Sequence, residues 1–326
     1  MTSGYLPRTI TGANVSLHAL CRRLIPAGYD PLVVCAAEGK DTPGGVNWSA
    51  DYPVLRLVEP VAAIAEMIPR LAPDAVVVRG LPAASFAAGF KAVRDFPLRI
   101  YLTANFVAAG FPAPRDAPSW RFAANSRFLT RLGEAFVGRT VSFVPSLVEP
   151  RDYVCRPRGD TVLFINPIAD KGVHIASAIA RRLPHRKFLF VRSWPDHEKY
   201  PHIEVSLPNI EWSESRLDMR PLYARARLLL VPSVLEESSS RSVAEAQLSG
   251  IPVVASDRGG LPESVGRGGI QLPIGDPVAH WSDAVESLFR DQAKHRRLSR
   301  LARRHAARPE IAPAQALRSF LRFIAP

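Results

Sequence analysis

The sequence predicts an α/β protein built from two doubly wound, parallel-sheet domains in series. Three observations predict it. Short apolar, β-branched runs alternate with segments of helical spacing along the chain. The 326 residues make about two domains at roughly 150 residues each. A composition of 47% hydrophobic and 22% charged residues belongs to a folded protein with cores to bury, not to a disordered one.

Taken in order, the runs Asp30–Ala36, Asp74–Val78, Leu98–Thr103 and Thr140–Val144 read as strands of a first domain. The runs Asp160–Ile165, Lys187–Val191, Arg227–Val231 and Ile251–Ala255 read as strands of a second. Each is a continuous apolar stretch rather than an alternating one, as expected of strands covered on both faces by helices. Helical segments fall between them, among them His174–Leu183 and Ser242–Leu248. Arg151, Arg156, Pro157, Arg158 and Gly159 interrupt the pattern, so the expected domains are residues 1–155 and 156–326. A ligand is then expected at the carboxyl ends of strands, in the cleft between domains. No apolar strand precedes Gly12, so the expectation is either a misassigned start codon or a first sheet one strand short.

Several classes are excluded. Pro, Arg, Asp or Gly interrupts every apolar run before the roughly 18 residues a membrane span needs. Residues 1–8 lack the basic start and apolar stretch of a signal peptide. The three cysteines, Cys21, Cys35 and Cys155, form no C-x-x-C pair, which fits a reducing cytoplasm and argues against a structural zinc site. Thirty prolines are scattered, marking many short loops rather than a linker.

Charge is uneven. The net charge is +12, and the segment from Arg290 to Pro326 holds ten basic residues against Asp291 and Glu310. Leu298, Leu301, Ala302 and Ala306 have helical spacing with arginines on the other faces. Residues 290–308 therefore read either as a solvated surface helix or as a peripheral contact with anionic lipid on the inner face of a membrane. With no aromatic between Arg290 and Arg308, no nucleic-acid partner is expected.

The chemistry concentrates between Val231 and Glu263. Strand, polar loop, short helix, Gly turn, strand and Gly-Gly turn follow one another there. The polar loop ends at a helix start, where unpaired N–H groups and the positive end of the dipole suit a phosphate. Ser238, Ser239, Ser240 and Ser242 can cap that helix or bond phosphate oxygens. Gly259 and Gly260 allow close backbone approach at the same sheet edge. Glu237 and Glu245 bracket the loop and suit the hydroxyls of a sugar better than a phosphate. The blander readings are a capping box Ser242-Val-Ala-Glu245 and a Glu237 that only compensates the helix dipole.

This segment resembles the C-terminal domain of the family 4 glycosyltransferases, the retaining, group 1 type enzymes of the GT-B fold. The resemblance rests on Pro232-Ser233, Glu237, Glu245-Ala246, Gly250, Pro252-Val-Val-Ala-Ser256, Gly259-Gly260 and Leu261-Pro262-Glu263. Upstream, Phe164-Ile-Asn-Pro-Ile-Ala-Asp-Lys171-Gly172 is similar to the family's strand and K-G loop. Gly12–Leu20, Gly28–Val34, Ala124–Phe128 and Val144–Ser146 are similar to parts of its N-terminal domain.

The resemblance implies transfer of a sugar from a nucleotide-diphosphate donor to an acceptor, a polysaccharide or lipid-linked glycan, without cofactor or metal. It implies that Glu237 contacts the donor sugar, Glu245 holds the ribose, and Lys171 with Ser239, Ser240 and Arg241 meets the diphosphate. Gly12 and Asn105 would lie on the acceptor side. It also implies that a final helix near 312–326 returns to the N-terminal domain. The chain departs from the family in three places. Glu237-Ser-Ser-Ser240 stands for E-G-F-G, Asn166 for an arginine whose charge Arg192 or Arg241 could replace, and Asn105 for a histidine. Two alternatives stay open: a non-catalytic nucleotide-sugar-binding relative and a nucleotide-sugar epimerase.

Overall fold

The computed structural model describes residues 5–6, 10–37, 46–47, 51–58, 60–80, 95–103, 119–193, 203, 205–214 and 216–325. The chain divides into two compact units, Met1–Leu147 with Pro313–Pro326, and Val148–Ala312.

In the first unit, β1 (Val33–Ala36) pairs parallel with β3 (Val54–Leu57), which pairs antiparallel with β2 (Val46–Asn47). A second, all-parallel sheet runs β4 (Val77–Arg79), β5 (Arg99–Leu102), β6 (Arg121–Ala124), β7 (Val141–Phe143). Among the described residues no strand precedes α1 (Gly12–Leu24), whose cap Thr11 accepts the Asn14 N–H at 3.2 Å. Helices α2 (Pro60–Leu71) and α3 (Arg127–Val137) cover one sheet face. The start of α3 is fixed by Ser126, which accepts the Leu129 N–H at 3.1 Å, and its end by Gly138 at φ 67°. The last helix, α10 (Pro313–Ile324), packs Ala316, Phe320 and Phe323 against Leu20, Tyr101 and Val144 of this unit.

The second unit holds a six-stranded parallel sheet. Its strands are β8 (Thr161–Ile165), β9 (Lys187–Arg192), β10 (Ile210–Glu214), β11 (Ala226–Val231), β12 (Val253–Ser256) and β13 (Gly269–Leu272), in the order β10-β9-β8-β11-β12-β13. Alternate residues of each strand go to opposite faces. Leu163, Leu189, Leu229 and Val253 meet α5 (Arg220–Arg225), α6 (Arg241–Leu248) and α7 (Leu261–Val265) on one side. Val162, Phe164, Phe188, Leu230 and Val254 meet α4 (Val173–Arg182), α8 (Val278–Arg290) and Leu298 of α9 (Gln292–Ala306) on the other. This two-sided covering is why these strands read as unbroken apolar runs. Each fully buried side chain such as Phe164, Phe188 or Leu230 contributes about 1.5–3 kcal/mol.

The order of the strands reverses direction between β8 and β11, with β9 on one side and β12 on the other. The loops leaving their carboxyl ends therefore open side by side, where ligands of such sheets bind.

Candidate functional site

Three loops at that edge carry the residues of interest. The first leaves β8. Asn166 there is 4% exposed and adopts φ +66°, a left-handed conformation uncommon outside glycine. Its backbone N–H donates to Val191 O at 2.8 Å, yet its amide N and O find no partner among the described residues. A buried amide left unsatisfied costs free energy, so Asn166 is a candidate for bonding to a ligand group or water. Ala169–Lys171 then form one 3₁₀ turn, and Gly172 follows at φ +78°. A Cβ on Gly172 would stand 1.9 Å from Pro232 O, so only glycine lets this loop lie on the next one.

The second loop leaves β11. The Glu237 carboxylate accepts from Lys171 Nζ at 2.6 Å and from Ser233 Oγ at 2.7 Å, all on Oε1. Ser233 is fully buried, and Ser256 Oγ donates to its carbonyl at 2.7 Å, which holds the loop from below. The third loop, after β12, presses on Glu237 directly. Gly260 N donates to Glu237 O at 2.7 Å. A Cβ on Gly259 would come within 2.5 Å of Glu237 O, and one on Gly260 within 2.1 Å of Ser238 O. The two glycines thus set the height of Glu237 above the sheet.

Helix α6 begins at Arg241, with Ser240 as its cap residue. The Ser240 side chain makes no capping bond; its N–H donates to Ser264 Oγ at 3.2 Å and its hydroxyl sits 3.1 Å from that of Ser242. The capping box Ser242–Glu245 is not formed. Ser242 lies inside the first turn, and Glu245 points into the protein instead. Glu245 Oε1 is 2.6 Å from Arg241 Nε, one helical turn back, and Oε2 accepts from Tyr223 OH at 2.7 Å. Arg241 also donates to Tyr153 OH at 2.8 Å. Burial pushes the Glu245 carboxyl above its ordinary range, opposed by the charge of Arg241. Burial opposes the charge of Arg241 too, but Glu245 and Tyr153 outweigh it and hold the guanidinium above its usual value. Tyr223 is likewise raised, by burial and then by Glu245.

The structure brings Lys171 and Glu237 together, with Gly259 and Gly260 against the loop that carries Glu237. Asn166 lies on the loop that carries Lys171, Ser239 and Ser240 precede α6, and Arg241 and Glu245 pair within it. Arg192 is turned to other work: it pairs with Glu214 at 3.0 Å and lies over the Trp212 ring at 4.4 Å. Gly12 is the first residue of α1 in the other unit, and Asn105 lies outside the described residues. Sequence reasoning missed the part played by Ser233, although Pro232-Ser233 stood in the motif. It also missed Tyr153 and Tyr223, which lie 88 and 22 residues from the groups they bond and carry no local signal. Among the described residues no three His, Cys, Asp or Glu side chains gather as metal ligands, and no helix is long and apolar enough to cross a membrane.

Against known proteins, residues 159–291 match the family described as Glycosyl transferases group 1. Over 98 residues the chain is 43% identical to the D-inositol 3-phosphate glycosyltransferase of Mycobacterium leprae; that stretch is 29% of this chain and 22% of that relative. The crystal structure of Anabaena HepE in complex with UDP-glucose is similar throughout, with TM-score 0.77 and 17% identity over 99% of this chain and 98% of that one. A glycosyltransferase from Rickettsia africae gives TM-score 0.72 and 14% identity over 99% and 97%. The fold is GT-B. In this GT-B chain the family match falls inside the second unit, Val148–Ala312, and includes the three loops.

Proposed function

We propose that the protein is a retaining glycosyltransferase that moves a hexose from a nucleotide-diphosphate sugar to a polysaccharide or lipid-linked acceptor, with no metal or cofactor. The observation that carries this reading is the pair Lys171–Glu237 at the carboxyl edge of the sheet. Helix α6 starts four residues after Glu237, and the unsatisfied amide of Asn166 lies five residues before Lys171. The match of residues 159–291 to group 1 glycosyltransferases and the likeness to a UDP-glucose complex support it.

In this reading Lys171 and the amides opening α6 meet the diphosphate, and Glu237 meets the sugar beside its reacting carbon. The bond from that carbon to the β-phosphate oxygen breaks, and its electron pair stays on the oxygen. The acceptor hydroxyl bonds the carbon from the same face and gives its proton to the departing diphosphate. Catalysis then rests on preorganised charge facing the leaving group. Asn166 supplies a neutral amide where the diphosphate or sugar would complete its hydrogen bonds. Glu245 would hold the ribose once Arg241 yields it.

A second reading is favoured by one observation: both carboxylates are already satisfied by protein cations, Glu237 by Lys171 and Glu245 by Arg241. A protein that binds nucleotide sugars without transferring them would look the same. Incubation with UDP-, GDP- and ADP-hexoses and a mixture of lipid-linked and polysaccharide acceptors separates the two. Release of nucleoside diphosphate matched by glycosylated acceptor supports transfer; tight donor binding with no product supports the second reading.

A further inference from the structure

We propose that the outer face of α9 is an electrostatic docking surface for an anionic lipid bilayer. From Gln292 to Pro309 the sequence has seven Lys or Arg and no Asp or Glu. The helix is pinned on one side: Leu298 and Ala302 are buried, His295 Nε2 lies 3.0 Å from Arg227 O, and His305 Nε2 lies 3.0 Å from Glu263 O. At 3.6 residues per turn, Arg296, Arg300, Arg304 and Arg297 fall on the opposite side, within an arc of about 100° and about 12 Å of helix length. All four are exposed, and among the described residues none has an ion pair or hydrogen bond. Arg303 borders the arc and spends one N–H on Ser249 O. Arg267 adds another exposed cation beside the helix, between Gly266, which abuts His305, and Gly268, which abuts Ala302.

The stripe does not serve the helix itself. Arg296, Arg300 and Arg304 are spaced i, i+4, i+8, where like charges repel, and no acidic side chain within α9 offsets them. The surface α8–α9 junction shows the contrast: Arg290 is paired with Glu286 at 2.7 Å. Water hydrates such a row of guanidinium groups in the free protein, and an external array of phosphates would pair with it in bidentate fashion. The row lies on the outer face of a helix with no Phe, Tyr or Trp between Arg290 and Arg308 to stack bases, so a plane of lipid phosphates fits it better than a nucleic acid. It also lacks large apolar residues to insert, so attachment is by charge and is screened by salt.

This inference does not rest on glycosyl transfer, and its test reads binding alone. The full-length protein is co-sedimented with vesicles of phosphatidylglycerol and phosphatidylcholine in equal parts, and with phosphatidylcholine alone. The expected result is binding to the anionic vesicles only, falling as salt rises. The triple variant Arg296→Ala, Arg300→Ala, Arg304→Ala should bind about 100-fold more weakly, at about fivefold per cation near a charged membrane. The same three positions changed to Lys should keep most of the binding, as should the control Arg70→Ala, Arg181→Ala, Arg182→Ala. Absence of binding at low salt, or a triple alanine variant that binds like the wild type, would overturn the proposal. So would displacement from vesicles by duplex RNA or DNA at equal phosphate concentration, which would make the partner a nucleic acid.

Discussion

Lys171 Nζ stands 2.6 Å from Glu237 Oε1, and both side chains are largely covered, 16% and 10% exposed. In the proposed reading, the cation that would meet the diphosphate and the carboxylate that would meet the sugar hold one another. On that reading a donor would separate them, phosphate to the lysine and hydroxyl to the glutamate. The same partner exchange is set up one turn into α6, where Arg241 holds Glu245.

That relationship makes Glu237→Gln informative. The amide keeps the shape of the side chain and frees Lys171 from its internal counter-ion. Affinity for a nucleoside diphosphate should stay the same or rise, while transfer falls by at least about 100-fold, the scale of losing one preorganised group. Calorimetric titration beside a product assay checks this. A tenfold loss of nucleotide affinity would mean that Glu237 builds the phosphate site rather than the sugar site.

Arg241 and Glu245 are both under 10% exposed, so breaking their pair leaves a buried charge. Arg241→Leu should cost about 3–5 kcal/mol of stability, whereas Arg241→Leu with Glu245→Leu should return to within about 2 kcal/mol of the wild type. Denaturant unfolding of the three proteins measures the coupling. Equal losses in the single and double variants would show that the pair acts through packing alone.

Gly260→Ala puts a methyl group 2.1 Å from Ser238 O, a contact relieved only by moving the loop that carries Glu237. The expected cost is about 1–3 kcal/mol, together with a fall in transfer. Thermal unfolding and the product assay read the two effects, and an active, fully stable Gly260→Ala would contradict the role given to this close approach.

Stability in acid should follow Glu286. Arg186, bonding both its oxygens at 2.8 and 2.9 Å, is the main reason its carboxyl is lowered to about 2, with Arg290 and His185 adding to it. A carboxyl lowered by folding contributes stability that is complete above the ordinary carboxylate range and is lost as the pH falls through about 2. Glu286→Gln should therefore be less stable than the wild type at neutral pH and match it more closely at the acid end. Parallel losses at every pH would remove Glu286 from the acid limb.

Much of this was readable from the chain because β8, β9, β11 and β12 are central strands covered on both faces. Their residues had to be apolar without a break, and Val231–Glu263 had to alternate strand, loop and helix at short range. The strands that escaped reading are those with polar or very short runs. Ile210-Glu-Trp-Ser-Glu214 lies at the sheet edge, where one side meets solvent; Val46–Asn47 is two residues, and Val54–Leu57, Arg121–Ala124 and Gly269–Leu272 each carry a charged or polar residue within four. In the site, Lys171 and Glu237 were each visible by motif, but their pairing across 66 residues was not. Nor did local spacing reveal that Glu245 turns inward to Arg241 and Tyr223, because Ser242, which would have made a capping box, sits two positions past the cap residue Ser240.

The central claim is that the edge formed by Lys171, Glu237 and the start of α6 binds the diphosphate of a nucleotide sugar. Ligand-observed NMR with UDP-, GDP- and ADP-sugars, each beside its bare nucleoside, tests it on the wild type and on Lys171→Ala. The account predicts saturation transfer to one nucleotide sugar, with its affinity lowered about 10–100-fold in the variant and that of the nucleoside nearly unchanged. Binding of no nucleotide sugar, or equal losses for sugar nucleotide and nucleoside, would contradict it.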